Sequence, residues 1–192
     1  MVYADGLTPS KIMKCYYDSY EHEKNEEYTE AIYDLKPVYL SYPNTYTVNL
    51  RIGWLYYLNA NYSNSIQRLI KAQSLSPSSI EPMAILVLVY SKKSDWTKVE
   101  ELCAKIQKID YHNINANYWY SYALKMQKKY GLAIKVNRKM LALYPLSILF
   151  LQELGENLFL NGKKEESWSV LSSLQILSPG NTVVVRYLNE AR

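Results

Sequence analysis

The sequence predicts an all-α protein, an α-solenoid of about five 34-residue helix–turn–helix repeats with a C-terminal capping helix. The first supporting observation is that Pro43, Pro77, Pro145 and Pro179 stand on one 34-residue register, with Tyr111 in the remaining slot. The second is that small residues recur twelve positions before these slots. The third is that tyrosine or tryptophan recurs fifteen positions before four of them. A fixed period near 34 is typical of a repeat architecture rather than of an ordinary globular domain.

Two columns of small residues predict close contact between the paired helices of a repeat. The column twelve positions before the slots holds Ala31, Ser65, Val99, Ala133 and Ser167. The column twenty-four positions before them holds Ser19, Gly53, Val87, Ser121 and Gly155. Small side chains let two helices approach closely, and the aromatic residue of the repeat fills the space that they leave open.

The elements follow this register along the chain. Residues 1–8 are predicted to form an N-terminal tail, and a single domain over 9–192 is predicted to hold repeats near 12–45, 46–79, 80–113, 114–147 and 148–181. Thr8 and Pro9 favour the start of the first helix, as an N-cap and a first-turn proline. Pro37 is expected to kink the second helix of the first repeat.

Each repeat is predicted to contain two helices, the second of which ends at the proline slot. In the second repeat, apolar residues have helical spacing over 47–57 and 63–75, and the polar segment 59–61 favours a turn. Proline denies the preceding residue the α region and removes a backbone donor, so it ends the second helix. Residues 182–191 continue the register and are predicted to form the capping helix. The expected total is eleven helices and no strands.

These columns resemble the tetratricopeptide repeat family, in which a small residue, an aromatic residue and a proline recur in a 34-residue helix–turn–helix unit. The resemblance covers residues 12–179 and is closest in the second and fifth repeats. These hold Gly53, Tyr56, Tyr62, Ser65, Ala72 and Pro77, and Gly155, Leu158, Ser167, Leu171, Leu174 and Pro179. The resemblance implies a right-handed α-solenoid that acts as a protein–protein interaction scaffold.

The resemblance also implies a concave groove lined by the first helix of each repeat. The candidate groove residues that it assigns are Tyr16, Tyr20, Leu50, Trp54, Tyr57, Leu88, Lys92, Tyr118, Tyr122, Lys125 and Met126. Aromatic rings with a polar tip offer large contact areas at low entropic cost. We therefore expect an apolar or amphipathic partner peptide or helix, with Lys92 and Lys125 orienting an acidic group of the partner. The alternative is a moderately wet groove without a dedicated ligand.

One subset of the resembled family grips acidic chaperone tails through a lysine and an asparagine at fixed slots. In this sequence the corresponding slots hold Tyr16 and Tyr20 in the first repeat, and Leu50 and Trp54 in the second. The lining is therefore aromatic where that subset is basic and polar. This difference argues against a receptor for acidic chaperone tails.

The charge distribution leaves further alternatives open. Residues 1–43 hold four basic and eight acidic side chains, whereas residues 92–139 hold eleven basic and four acidic ones. The basic block is either a solvated outer rim, a site for an anionic ligand, or the partner of the acidic first repeat in a head-to-tail homo-oligomer. Nucleic acid is a less expected partner, because the isoelectric point of about 8.8 is modest and no groove-reading element is recognisable.

The sequence offers little for catalysis, a cofactor or a metal ion. His22 and His112 lie in different repeats, and no glycine-rich phosphate loop occurs. Cys15 and Cys103 also lie in different repeats and are expected to be packed as small apolar residues rather than bridged. We therefore expect no enzyme, no cofactor and no metal site, and the longest apolar runs are too short to span a membrane.

The first residues bear on localisation. The segment 2–4 resembles the small-residue end of a secretory signal peptide, although the apolar region of such a peptide is absent. This favours an exported protein, in a bacterial periplasm or secreted, over a cytoplasmic one. An ordinary polar tail is the alternative.

Overall fold

The structure is a computed structural model that describes residues 7–189. In this range all regular secondary structure is α-helical, as predicted. The helices are α1 (Pro9–Lys24), α2 (Tyr28–Asp34), α3 (Lys36–Ser41), α4 (Tyr46–Leu58), α5 (Tyr62–Leu75), α6 (Glu81–Lys92), α7 (Trp96–Ile109), α8 (Ile114–Met126), α9 (Tyr130–Leu143), α10 (Ile148–Leu160), α11 (Lys164–Leu177) and α12 (Thr182–Asn189). The residues 2–6 on which the export prediction rests lie outside the described residues.

The described part of the chain contains twelve helices rather than the predicted eleven, because Pro37 breaks a helix that it was expected only to kink. Helix α2 ends at Asp34 and α3 begins at Lys36, with Pro37 in its first turn. Proline lacks the N–H that would continue the helical ladder, and its ring clashes with the carbonyl four residues earlier. Both halves stay packed on the core, since Leu35 and Val38 are buried.

The other boundaries follow the predicted register. Helices α3, α5, α9 and α11 each end two residues before a proline slot, and α7 ends two residues before Tyr111. Thr8 caps the start of the first helix, because its hydroxyl accepts a hydrogen bond from the backbone N–H of Lys11. The prediction that the second helix of each repeat ends at the proline position is thus confirmed in all five repeats, including the third, where Tyr111 stands in place of proline.

A left-handed residue recurs in the turn between the two helices of every repeat. The residues with positive φ are spaced by 34 and are Glu26 (63°), Ala60 (54°), Ser94 (56°), Lys128 (59°) and Gly162 (79°). Such a residue ends a helix and lets the chain reverse, and glycine adopts this conformation at the lowest cost. Only the last repeat uses glycine there.

The helices form two compact units, which divide between Lys93 and Ser94. In the first unit, α1 packs on α2 and α3, α4 packs on α5, and α6 contacts both α4 and α5. In the second unit consecutive helices pack from α7 to α12, and α10 also contacts α8 and α12. Within each unit, first helices of neighbouring repeats are in direct contact: α4 with α6 in the first unit, and α10 with both α8 and α12 in the second.

The small columns join the two helices of a repeat, as predicted. The hydroxyl of buried Ser65 in α5 donates to the carbonyl oxygen of Gly53 in α4, at 2.7 Å. The hydroxyl of Ser167 in α11 makes the same bond to Gly155 in α10, at 2.6 Å. These bonds require the helices to approach closely, and a side chain at either glycine would prevent it.

Candidate partner-binding groove

Helices α1, α4 and α6 of the first unit enclose an open groove of about 730 Å³. Four of the residues that the resemblance assigned to a groove lie in its wall, at Tyr16, Tyr20, Leu50 and Trp54. The remaining lining residues are Thr47, Arg51, Glu81, Ala84 and Ile85. The described structure therefore brings four of the five candidate residues of the first two repeats together into one surface.

An ion-pair network fixes two of the aromatic rings in this groove. The guanidinium of Arg51 is almost fully buried, pairs with the Glu23 carboxylate and lies 3.9 Å from the centroid of the Tyr20 ring. The indole N–H of Trp54 donates to the other oxygen of Glu23, at 2.6 Å. Arg51 also donates to the backbone oxygen of Ser19, at 3.1 Å. The charge of Arg51 is thus neutralised within the unit, and both rings are held in place.

Arg51 is a charged residue of the groove lining that sequence reasoning missed. It occupies the position after Leu50, which the resemblance did not assign to the groove. A signal was nevertheless present, because Arg51 is the only charged residue in the helix from Tyr46 to Leu58. A lone charge in such a helix needs a buried partner, and α1 supplies Glu23.

Two tyrosines that stay neutral donate hydrogen bonds to Thr47 and Glu81 of the groove lining. The hydroxyl of Tyr16 donates to Thr47 at 3.4 Å, and burial raises the pKa of Tyr16. The hydroxyl of Tyr46 donates to the carboxylate of Glu81. Burial, together with this carboxylate, raises the pKa of Tyr46. Both tyrosines therefore present hydroxyl groups rather than phenolates at neutral pH.

Three further candidates of the first unit lie outside the lining of this groove. Tyr57 is half-buried and packs against Trp54 and Tyr62, with ring centroids 5.4 and 6.4 Å apart, so it extends the aromatic surface of α4. Leu88 is half-buried in α6. Lys92 is exposed in the last turn of that helix.

In the second unit, the candidate tyrosines of α8 form an aromatic cluster. Tyr118 and Tyr122 both contact Trp119, with centroids 5.3 and 5.8 Å away. Tyr122 also contacts Trp96 of α7, at 5.5 Å. Met126, at the end of the same helix, is 45% exposed. The cluster is half-buried and holds α7 against α8.

Lys125 departs from the expectation that it orients an acidic group of a partner. Its ammonium is buried and pairs with Glu153 at 3.0 Å and Glu156 at 2.6 Å. The hydroxyl of Tyr187 donates to the second oxygen of Glu156, at 3.0 Å. The positive charge of Lys125 is therefore used inside the second unit, and it is not available to a ligand.

The histidine, cysteine and carboxylate side chains of the described residues do not converge on a metal site. Among residues 7–189, no group of three or more histidine, cysteine, aspartate or glutamate side chains could hold a metal ion. Cys15 and Cys103 are both free thiols. Nor is any described helix long and apolar enough to cross a membrane.

Sequence comparisons detect no relative: no protein-family model and no curated protein matches the chain. Solved structures do match. The crystal structure of MamA is 16% identical and superimposes with a TM-score of 0.79, over 90% of this chain and 94% of that one. The RS-1 ArsTM double mutant of MamA is 15% identical, with a TM-score of 0.82 over 90% and 97% of the two chains.

A third match is a tetratricopeptide repeat protein from Parabacteroides merdae. It is 12% identical, with a TM-score of 0.75 over 92% of this chain and 69% of that one. At such low identity these matches establish the fold alone, and the fold is the one that the 34-residue register predicted.

Proposed function

Given the tetratricopeptide-repeat fold that the chain shares with these structures, we propose that it is a protein–protein interaction scaffold. Its groove between α1, α4 and α6 would hold an apolar or amphipathic segment of a partner protein. The observation that carries this proposal is that Tyr16, Tyr20, Leu50 and Trp54 line one groove of about 730 Å³. Ligand sites in proteins typically enclose roughly 300–1,000 Å³, so the groove is large enough for several side chains.

Burial of apolar side chains supplies the binding energy in this proposal. Tyr20 is 55% exposed, and Leu50 and Trp54 are partly exposed beside it. The Arg51–Glu23 pair already holds Tyr20 and Trp54 in position. A partner therefore need not order these rings, which lowers the entropic cost of binding.

Glu81 gives the groove its charge preference. Arg51 is neutralised by Glu23, whereas Glu81 is exposed, lines the groove and forms no ion pair among residues 7–189. A carboxylate in this position favours a partner segment that carries a lysine or arginine next to its apolar residues. It differs from the expectation that Lys92 and Lys125 orient an acidic group, because Lys125 is ion-paired inside the second unit and Lys92 does not line this groove.

Site-specific photo-crosslinking in the native host tests the proposal. The photoreactive residue benzoylphenylalanine replaces Tyr20 in one variant and Tyr17 in the control. Both tyrosines are exposed on α1, but only Tyr20 lines the groove. We expect a crosslinked protein from position 20, none from position 17, and loss of the product when Trp54→Ala is added. Equal products from both positions would contradict the groove. A product with twice the mass of the chain would identify a second copy as the partner.

The affinity for the identified partner provides the quantitative test. Trp54→Ala should weaken binding by about 2 kcal/mol, or roughly thirtyfold, because it removes a central aromatic anchor. Trp54→Phe keeps a ring and loses only the bond to Glu23, so we expect a smaller loss. Thermal unfolding by circular dichroism shows whether each variant stays folded, and an unchanged affinity for Trp54→Ala would exclude Trp54 from the site.

A further inference from the structure

The break at Pro37 leaves a second cleft in the first unit, of about 410 Å³. Its lining residues are Thr29, Ile32, Tyr33, Lys36, Tyr39, Leu40, Ile52, Tyr56 and Arg68. They come from α2, α3, α4 and α5, and none of them lines the groove described above. The cleft is therefore a separate surface of the same unit.

The two short helices expose apolar side chains on either side of their break. Leu35 and Val38 face the core and are buried, whereas Tyr33 is 70% and Leu40 is 67% exposed. Ile52 and Tyr56 of α4 complete the apolar lining. Tyr33 and Leu40 contribute little to the core of the unit, so their exposure next to a cleft is typical of a binding surface.

Two cations line this cleft without a carboxylate partner. The guanidinium of Arg68 donates to the hydroxyl of Tyr39 and lies 4.2 Å from the centroid of its ring. The ammonium of Lys36 lies 5.7 Å from the centroid of Tyr33. Neither cation forms an ion pair within residues 7–189, and no acidic residue is among the lining. By contrast, Arg51 in the same unit is paired with Glu23.

We propose that this cleft is a second docking site, for a partner protein segment in which an aspartate or glutamate stands beside a large apolar residue. The apolar side chain enters between Tyr33, Leu40 and Tyr56. The carboxylate pairs with Arg68, whose guanidinium has donors left after its bond to Tyr39 and is pre-oriented by stacking on that ring. Lys36 adds a second positive charge at the rim. The charge preference is opposite to that of the groove, where Glu81 is the exposed charged group.

A phage-displayed pool of random hexapeptides, selected on the full chain, tests the proposal. We expect enrichment of sequences that pair Asp or Glu with Leu, Phe or Trp, and that bind Trp54→Ala as well as wild type. The enriched peptide is then titrated beside its Asn or Gln analogue. The charged peptide should bind about tenfold more tightly, because a charge-assisted bond to Arg68 is lost in the analogue.

Matched protein variants assign the preference to the cleft. Arg68→Gln should remove most of the tenfold difference, and Lys36→Gln should reduce it without disturbing the bond between Arg68 and Tyr39. Lys24→Gln, which removes an exposed charge of α1 outside both surfaces, should leave it unchanged. A selection that enriches no acidic peptide, either on the wild type or on Trp54→Ala, would overturn the proposal. So would equal binding of the two peptides, or binding that Trp54→Ala abolishes.

Discussion

Lys125 of α8 and Glu153 of α10 form a buried ion pair in the second unit, with 3.0 Å between Nζ and Oε1. The side chains are only 9% and 3% exposed. Burial raises the pKa of Glu153, and the Lys125 charge only partly offsets this effect. Burial alone would lower the pKa of Lys125, but Glu153 and Glu156 together raise it. The lysine therefore stays charged and joins two neighbouring repeats.

Replacing Lys125 by Met should destabilise the protein by about 3–5 kcal/mol, because Glu153 would be left buried without a counter-charge. The double variant Lys125→Met/Glu153→Met should recover most of this loss, since it removes both charges. Urea unfolding monitored by circular dichroism measures both changes. A loss below about 1 kcal/mol for Lys125→Met would show that the pair is far more hydrated than its burial indicates.

Alanine at Gly53 or Gly155 should destabilise the protein by about 1–3 kcal/mol. An added Cβ would lie 2.8 Å from Leu69 at Gly53, and 2.5 Å from Leu171 at Gly155. Gly131 is the control, because it is helical and a Cβ there would meet no atom within 4 Å. Gly131→Ala should therefore be neutral or stabilise the protein by up to about 1 kcal/mol. Chemical denaturation measures the stability of the three variants. An equal loss for Gly131→Ala would show that close helix contact is not the cause of the destabilisation.

The recurring left-handed turn predicts opposite effects at equivalent positions. Ala60 has a φ of 54° and Gly162 has a φ of 79°. Ala60→Gly should stabilise the protein by about 0.5–1 kcal/mol, because glycine adopts this conformation without steric cost. Gly162→Ala, where a Cβ would meet no neighbouring atom, should destabilise it by a similar amount. Thermal unfolding measures both variants. If the unfolding temperature moved in the same direction in both, the backbone explanation would be contradicted.

His22 should make stability depend on pH near neutrality. Its ring pairs with Asp34 at 2.6 Å, and this hydrogen bond raises the pKa of His22 above 6.5, with Asp34, Glu27 and Glu30 adding charge attraction. Protonated His22 therefore stabilises the folded state, and this contribution is complete at pH values below the pKa that His22 has in the unfolded chain. The stabilisation is lost as the pH rises through the folded pKa. The free energy of unfolding should therefore fall as the pH rises above the unfolded pKa of about 6.5.

Two variants and a control isolate this effect. His22→Gln and Asp34→Asn should both flatten the pH dependence, because each removes the same pair. His112→Gln should preserve it, since His112 is exposed and contacts only the ring of Tyr111 among the described interactions of its side chain. Urea unfolding at a series of pH values is the measurement, and an equally steep fall in Asp34→Asn would assign the dependence to another group.

The order of residues along the chain specifies the repeat register, and with it the helix ends and the helix contacts within a repeat. The ring of Pro77, for example, disfavours the α conformation in the residue before it, and α5 ends just before that residue. Gly53 and Ser65 are both small and face each other across the two helices of their repeat. Such effects are local or recur in each repeat, so a single chain displays them several times. The same register placed Tyr16, Tyr20, Leu50 and Trp54 on the first helices of their repeats, and these residues line one groove.

The pairing of charges across repeats, in contrast, depends on the folded arrangement of the helices. Lys125 looked like a free groove cation in the sequence, but Glu153 and Glu156 lie about thirty residues away and neutralise it. Arg51 and Glu23 are separated by a similar length of chain. The register also indicated a distortion at Pro37 but not the cleft beside it, because that cleft depends on how α2 and α3 pack against α4 and α5. Such pairings depend on distances between repeats, which no periodicity within the sequence specifies.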